Sequence, residues 1–139
     1  MWADDPFRGA RGAGCVEDEK RISRRDRVRV LFCIGVAQTF FEEEASRLPE
    51  LIAAIKTAFD DLQGRFGIDV LGTIDDDELM VGPSPSWPWT AYILADAPGL
   101  EAVTAVCNLV RETSVGEHRL WRYLRIEARV GRQLFFGNA

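Results

Sequence analysis

The segment from Val28 to Val36 constrains the fold most, because apolar side chains occupy every second position along it. Successive side chains of a β-strand point to opposite faces, so this period predicts a strand with one face on a core. Residues 121–130 alternate in the same way and predict a final strand. Residues 68–73 and 89–95 are β-rich and flank the polar turn 75–78, which predicts two further strands.

Two other stretches repeat their apolar residues at helical spacing. In the first, Ser46 is the predicted N-cap, Pro49 fits the first turn, and Gly64 and Gly67 mark the exit. The second begins at 96–98 and ends near 113–116. The apolar faces comprise Leu48, Leu51, Ile52, Ile55, Phe59, Leu62 and Phe66 in the first, and Leu100, Val103, Val106, Cys107 and Val110 in the second.

The resulting order, β-α-β-β-α-β, predicts an α+β, ferredoxin-like fold: a four-stranded antiparallel sheet with two helices on one face. The other face would stay uncovered, with Trp121, Tyr123, Arg125 and Glu127 pointing out from the final strand and Arg122 on the opposite side. An uncovered face rich in aromatic residues favours a partner sheet, so we expect a homodimer that closes into a dimeric α/β barrel.

Length and composition limit the alternatives. The 139 residues fit one compact domain, which we assign to residues 28–139, and the charged segment 1–27 is predicted to be a flexible N-terminal extension. The longest apolar runs are too short to span a membrane, and the net charge of -5 disfavours nucleic acid as a partner. A charged N-terminus and three cysteines favour a cytoplasmic location.

Several segments between Val28 and about Gln133 resemble known proteins: LFCIGVAQTFF (31–41), VLGTIDDD (70–77), MVGPS (80–84), WPWTAYILAD (87–96) and LWRYLRIEARVG (120–131). Together they resemble the dimeric α/β-barrel superfamily, and within it they are similar to the small B-component proteins of bacterial indole-3-acetate catabolic clusters. The superfamily includes muconolactone-isomerase-like enzymes and cofactor-free monooxygenases that act on aromatic compounds. The resemblance therefore implies a small enzyme of aromatic metabolism.

Large aromatic residues are the first candidates for a binding site. Trp87, Trp89, Tyr92, Trp121 and Tyr123 lie near one edge of the predicted uncovered face, and flat walls with polar tips suit an indole-sized ligand. Dimer interfaces select the same residue types, so a role in subunit contact is equally compatible with the pattern.

Candidate proton-transfer groups lie in two loops. Asp76 and Asp77 could act as a general base beside an apolar ligand, although a polar turn explains them more simply. His118 is the single histidine, so it could move a proton but cannot build a metal site of several imidazoles. An exposed loop histidine is the simpler interpretation.

Arg125 and Glu127 are two residues apart on one strand face. Arg125 could hold a substrate carboxylate in a bidentate contact, and Glu127 could orient it or act as a base. The alternative is an ion pair between two subunits. Cys33 and Cys107 lack an activating neighbour in sequence and are predicted to be core thiols.

These patterns predict an enzyme that binds an aromatic, indolic intermediate and promotes its oxidation, isomerisation or rearrangement. Glycine-rich phosphate loops are absent from the sequence, so no tightly bound organic cofactor is expected, and no metal is assigned. The alternative is a non-catalytic accessory protein that carries a reactive aromatic intermediate to a partner oxygenase.

Overall fold

The structure is a computed structural model that describes residues 27–79, 81–82 and 89–138. Trp87 and all of the predicted extension except Arg27 lie outside these ranges. Arg27 itself contacts the domain, since its Nη2 lies 3.1 Å from the Gly67 carbonyl oxygen and 2.9 Å from that of Asp96.

Within the described residues, four strands form the main sheet and two short strands form a hairpin. The main strands are β1 (Val28–Val36), β2 (Asp69–Asp75), β3 (Ala91–Ala97) and β6 (Leu124–Gly131), and the hairpin pairs β4 (Ser114–Val115) with β5 (His118–Arg119). The α-helices are α1 (Gln38–Glu42), α2 (Leu48–Ala58), α3 (Leu62–Phe66) and α4 (Leu100–Glu112), and two short 3-10 helices span Ala45–Arg47 and Leu120–Arg122.

The main sheet has the order β2-β3-β1-β6, and every neighbouring pair is antiparallel. Each of the two β-α-β units therefore contributes one central and one edge strand. This topology confirms the ferredoxin-like α+β fold predicted from the order of the periodic segments.

The core lies between one sheet face and the helices. Val30 and Phe32 of β1 are completely buried, together with Ala95 of β3 and Val106 of α4. A second cluster joins α2 and α4 to the start of β6 through Leu51, Val110 and Leu124. The alternation of β1 thus selects the face that the helices cover.

The opposite sheet face, here called the open face, carries the alternate side chains of each strand, those that point away from the helices. Register partners in antiparallel strands share a face. Arg125 on β6 therefore lies beside Gly35 on β1. In the next row across the sheet, the order is Glu127, Cys33, Tyr92 and Ile74.

The first predicted helix is interrupted, which corrects its continuous span from Ser46 to Gly64 or Gly67. The N-cap of α2 is Arg47 rather than Ser46. Asp61 has a φ of 48°, and its side chain accepts a hydrogen bond from the Gly64 amide at 3.0 Å, so Asp61 caps the start of a separate helix, α3. Of the two predicted helix-ending glycines, Gly64 lies inside α3 and Gly67 ends it. Gly67 has a φ of 70°, a left-handed conformation that glycine adopts without strain.

The third strand is shifted toward the C-terminus relative to the prediction. It ends at Ala97, so Asp96 belongs to β3 and does not begin the helix, which has Gly99 as its N-cap. Arg29 Nε donates to Asp96 Oδ1 at 2.6 Å across the open face. This contact gives Asp96 a partner within the sheet.

The final strand begins at Leu124, three residues later than predicted. Leu120 is fully buried, and the Tyr123 amide donates to its carbonyl oxygen at 2.8 Å, which closes the 3-10 turn Leu120–Arg122. Tyr123 is consequently 1% exposed within the helix-side core, which corrects its predicted place on the open face. None of the described helices is long and apolar enough to cross a membrane.

Candidate active site

A hollow of about 410 Å³ opens where β6 begins, and we call it the arginine hollow. Three of the predicted site residues, His118, Trp121 and Arg125, come together here. The hollow is lined by Glu117, His118, Arg119, Trp121, Arg122 and Arg125.

The sequence predicts no function for Arg119 or Arg122, and it predicts Arg122 on the face opposite Arg125. The 3-10 turn overrides the strand alternation, so both line the same hollow. Arg119, Arg122 and Arg125 recur at every third position, and this spacing is the sequence signal that could have pointed to the cluster.

Backbone carbonyls fix two of these guanidinium groups. Arg119 Nη1 donates to the Glu112 carbonyl oxygen at 3.0 Å, at the C-terminus of α4, where a cation is favoured by the helix dipole. Arg125 Nη1 donates to the Trp121 carbonyl oxygen at 2.6 Å. The hollow therefore presents cationic groups that are positioned before any ligand arrives.

The aromatic wall of the hollow is Trp121, which is 56% exposed. His118 lies in β5 and is half-buried, so it is less accessible than the exposed loop histidine that the simpler interpretation assumed. Its ring meets the Tyr123 ring edge-on, with the centroids 6.5 Å apart. This contact orients the imidazole at the rim of the hollow.

Tyr123 lies behind the hollow and connects it to α1. Its hydroxyl donates to Glu43 Oε2 at 2.6 Å, and the Arg122 guanidinium carbon lies 6.0 Å from its ring centroid. This hydrogen bond is the main reason that the pKa of Glu43 is lowered and that of Tyr123 is raised. Tyr123 therefore supports the site from within the core.

A second group of predicted residues assembles at the start of β3. The Tyr92 hydroxyl oxygen lies 3.1 Å from Asp76 Oδ2 and 3.1 Å from the Trp89 carbonyl oxygen. Burial, followed by the contact with Asp76, raises the pKa of Tyr92. This group contains three of the predicted residues but lies on another part of the sheet from Trp121.

Glu127 pairs with Arg129 rather than with Arg125. Arg129 Nε donates to Glu127 Oε2 at 2.9 Å, so the same strand supplies both charges. Both side chains flank Cys33, which is 2% exposed and whose pKa is raised mainly by burial. Cys33 is thus a buried thiol, as predicted, although it belongs to the open face.

The remaining predicted residues do not join either group. Asp77 is exposed beyond the end of β2, and Trp87 lies outside the described residues. In the parts of the chain that the structure describes, no three His, Cys, Asp or Glu side chains converge closely enough to hold a metal ion.

A larger cleft, of about 890 Å³, lies at the opposite end of the sheet. Two of the three arginines that line it have carboxylate or carbonyl partners: Arg29 contacts both carboxylate oxygens of Asp96, and Arg27 donates to two backbone carbonyl oxygens. Asp61 and Asp69 add further negative charge to the lining. Size alone therefore does not make this cleft the better site for an anion.

Comparisons with known proteins complete the description of the site. No protein-family model and no curated protein matches the chain. A protein of unknown function from Rhodopseudomonas palustris is 16% identical, with 78% of this chain and 83% of that chain covered and a TM-score of 0.48. A putative chlorite dismutase is 15% identical, with 91% and 51% covered and a TM-score of 0.43.

A third solved structure is a dimeric protein of unknown function with a ferredoxin-like fold from Bacteroides fragilis. It is 10% identical, with 75% of this chain and 95% of that chain covered and a TM-score of 0.34. At these values the likenesses give no information about the reaction. The fold assignment depends on the strand order above, and the functional argument depends on the side chains of the site.

Proposed function

We propose that this chain is a small enzyme that binds an aromatic, indolic carboxylate and promotes its oxidation, isomerisation or rearrangement without a tightly bound organic cofactor. The observation that carries the proposal is the arginine hollow, which is lined by three arginines and one exposed tryptophan. The resemblance to the B-component proteins supports an indolic ligand.

Charge favours an anionic ligand at this place. The chain as a whole has a net charge of -5, yet the hollow contains three arginines and one glutamate. Guanidinium groups bind carboxylates through paired, charge-assisted hydrogen bonds. A locally positive hollow on a protein that is acidic overall would attract an anionic ligand to the hollow rather than to the rest of the surface.

The sheet register gives the ligand a direction. Arg125 and Glu127 lie in successive rows of the open face, about 7 Å apart along β6. Gly35, the neighbour of Arg125 on β1, and Cys33 in the next row are both buried, so the ring of a ligand with its carboxylate at Arg125 is expected beside Trp121, the exposed aromatic side chain of the hollow.

Binding of indole-3-acetate, measured by isothermal titration calorimetry, tests the proposal. Arg122→Ala and Arg125→Ala should each weaken binding by about 10- to 100-fold, because each removes a charge-assisted contact worth about 1.5–3 kcal/mol. Arg111→Ala is the matched control, since Arg111 is exposed near the end of α4 and does not line the hollow.

Indole-3-acetamide supplies the matched ligand, because it keeps the ring and loses the charge. Its affinity should be lower for the parent protein and nearly unchanged in both arginine variants. Equal affinity for the acid and the amide would contradict a carboxylate site. Binding without turnover of any candidate substrate would instead assign the protein the carrier role.

A homodimer through the open face is part of the proposal. Ile74 and Leu94 are 60% and 39% exposed on this face, where none of the described helices packs. Burial of such apolar side chains against a second sheet would stabilise the pair. The open face would then form the interior of a barrel that also encloses the ligand.

A further inference from the structure

The segment that follows β6 carries an exposed apolar tip. Residues 132–138, here called the arm, leave the sheet after Gly131, and Leu134, Phe135 and Phe136 are 56%, 64% and 59% exposed. Single exposed apolar side chains are common on protein surfaces, but three consecutive large ones form a patch of the kind that marks an interaction site. The arm therefore offers a surface for another molecule to cover.

Hydrogen bonds hold this tip in a defined shape. Asn138 Nδ2 donates to the Leu134 carbonyl oxygen at 2.6 Å and to that of Phe136 at 3.2 Å. Gly137, with a φ of 75°, permits the tight turn, and the rings of Phe135 and Phe136 meet edge-on with their centroids 4.9 Å apart. Because the tip is already ordered, its docking loses less conformational entropy than the docking of a loose strand.

We propose that the arm of each protomer packs into the larger cleft of a second copy, against the start of the partner's β2, and so stabilises the open-face dimer. The inference rests on the open-face dimer of the proposed function, and it assigns a role to the cleft that the carboxylate site leaves unused. The docking surface is the apolar wall of this cleft, formed by Phe59, Leu62, Ile68, Val70 and Leu71.

This docking surface is accessible and large enough. All seven residues of β2 are exposed, and Val70 and Leu71 expose 43% and 46% of their surface at the cleft. The cleft has a volume of about 890 Å³. Since pockets of about 300–1,000 Å³ enclose drug-sized ligands, a cleft of this size can accept the three side chains of the tip.

The open face alone offers less surface than a stable dimer needs. Four strands about 4.8 Å apart and about eight residues long cover about 500 Å² per protomer, or about 1,000 Å² for a pair. Stable interfaces bury about 1,600 Å² in total. Two phenylalanines and one leucine that are more than half exposed add about 300 Å² per arm, so two arms make up the difference.

Two-fold symmetry brings the arm to this surface. β6 and β2 are the opposite edges of the main sheet. A two-fold axis that runs along the strands, between β1 and β3, therefore places β6 of one protomer over β2 of the other at the same end of the strands. The same axis places Leu31 opposite the partner's Leu94 and Arg29 opposite the partner's Asp96, which joins apolar with apolar and positive with negative side chains.

The arm is long enough to cross between the two sheets. From Gly131 to Phe135 the chain can span about 13 Å, whereas packed sheets lie about 10 Å apart. A two-fold axis perpendicular to the strands would instead place the arm over the partner's arginine hollow, where the rings would remove water from charged groups at a cost in free energy. The apolar wall of the larger cleft therefore favours the first axis.

Sedimentation equilibrium of the full chain tests the role of the arm. Phe135→Ser/Phe136→Ser should raise the dimer dissociation constant by about 100-fold or more, because two rings are lost from two symmetric contacts and each such loss costs about fivefold. Leu71→Lys, which puts a charge on the docking surface, should have a similar effect. Phe41→Ser is the matched control, since Phe41 is 68% exposed on α1, and its dissociation constant should stay within threefold of the parent value.

A mixed disulfide identifies the docking surface. Phe135→Cys and Leu71→Cys proteins, mixed in equal amounts and oxidised, should form a covalent dimer well above the level that either protein forms alone. The two proteins measured separately correct for the native cysteines. Calorimetry should give a dissociation constant for indole-3-acetate within threefold of the parent value in Phe135→Ser/Phe136→Ser, because the arginine hollow lies at the other end of the sheet.

Four results would overturn the proposal. An arm variant that dimerises like the parent would exclude the arm from the interface, while the open-face dimer would stand if Ile74→Lys still dissociates it. A 10-fold change in indole-3-acetate affinity in the arm variant would place the arm over the hollow instead. Loss of parent binding to phosphatidylglycerol vesicles, with an unchanged dimer, would assign the tip to a lipid surface. A monomeric parent would refute the arm contact and the open-face dimer together and leave the carboxylate site to its own titration.

Discussion

Tyr123→Phe should destabilise the domain without changing its fold. The side chain is 1% exposed, and its hydroxyl donates to the Glu43 carboxylate at 2.6 Å. Loss of a hydrogen bond to a charged group costs about 1.5–3 kcal/mol. For a domain of this size, each 1 kcal/mol lowers the melting temperature by roughly 3–5 °C, so we expect a clear drop.

The pH dependence of this loss identifies its cause. Glu43 has a lowered pKa in the folded protein because it accepts from Tyr123, so it stabilises the fold above the usual range of a glutamate. That stability is lost as the pH falls through the lowered pKa. The difference between parent and Tyr123→Phe should therefore be constant near neutrality and shrink below about pH 4.

Thermal melting followed by circular dichroism at pH 7 and at pH 3.5 measures both effects. Tyr92→Phe is the matched control, because the same substitution at a half-buried position should cost less. A Tyr123→Phe protein that melts within 2 °C of the parent, with no change between the two pH values, would refute the buried hydrogen bond.

Three further predictions concern packing and assembly. Ile68→Ala should lower stability by about 3 kcal/mol in urea unfolding, because Ile68 is fully buried, whereas Ile52→Ala, at a 45% exposed position, should cost less than about 1 kcal/mol. Asp96→Ala should lower the free energy of unfolding by about 1 kcal/mol in the same assay, since its ion pair with Arg29 is partly exposed. A decrease in the free energy of unfolding of more than about 3 kcal/mol would mean that the pair is effectively buried. Sedimentation should show a dimer that Ile74→Lys dissociates; a parent monomer at micromolar concentration would exclude the open-face dimer.

The fold follows from patterns that are visible in the sequence. The period-two alternation of β1 and the helical period of α4 each select the face that the structure buries, as Val30, Phe32 and Val106 show. The errors occur at element ends. Asp61, in the left-handed conformation, divides the first helix, and the 3-10 turn that begins at the buried Leu120 delays the start of β6. Neither feature interrupts the apolar spacing in the sequence, so the spacing alone does not reveal either break.

The candidate site was only partly predictable for the same reason. His118, Trp121 and Arg125 were identified by residue type, but their meeting with Arg119 and Arg122 depends on the 3-10 turn. An alternating strand would have pointed Arg122 and Arg125 to opposite faces. Contacts between distant segments, such as Tyr92 with Asp76, depend on sheet register, which one sequence does not reveal.

The most direct measurement of the central claim is an NMR titration of the ¹⁵N-labelled protein with indole-3-acetate. The account predicts that the largest shifts affect the Trp121 indole N–H and the Nε–H groups of Arg122 and Arg125, and that Arg125→Ala removes them. Shifts confined to Arg27 and Arg29, in the larger cleft at the other end of the sheet, would contradict the arginine hollow as the ligand site.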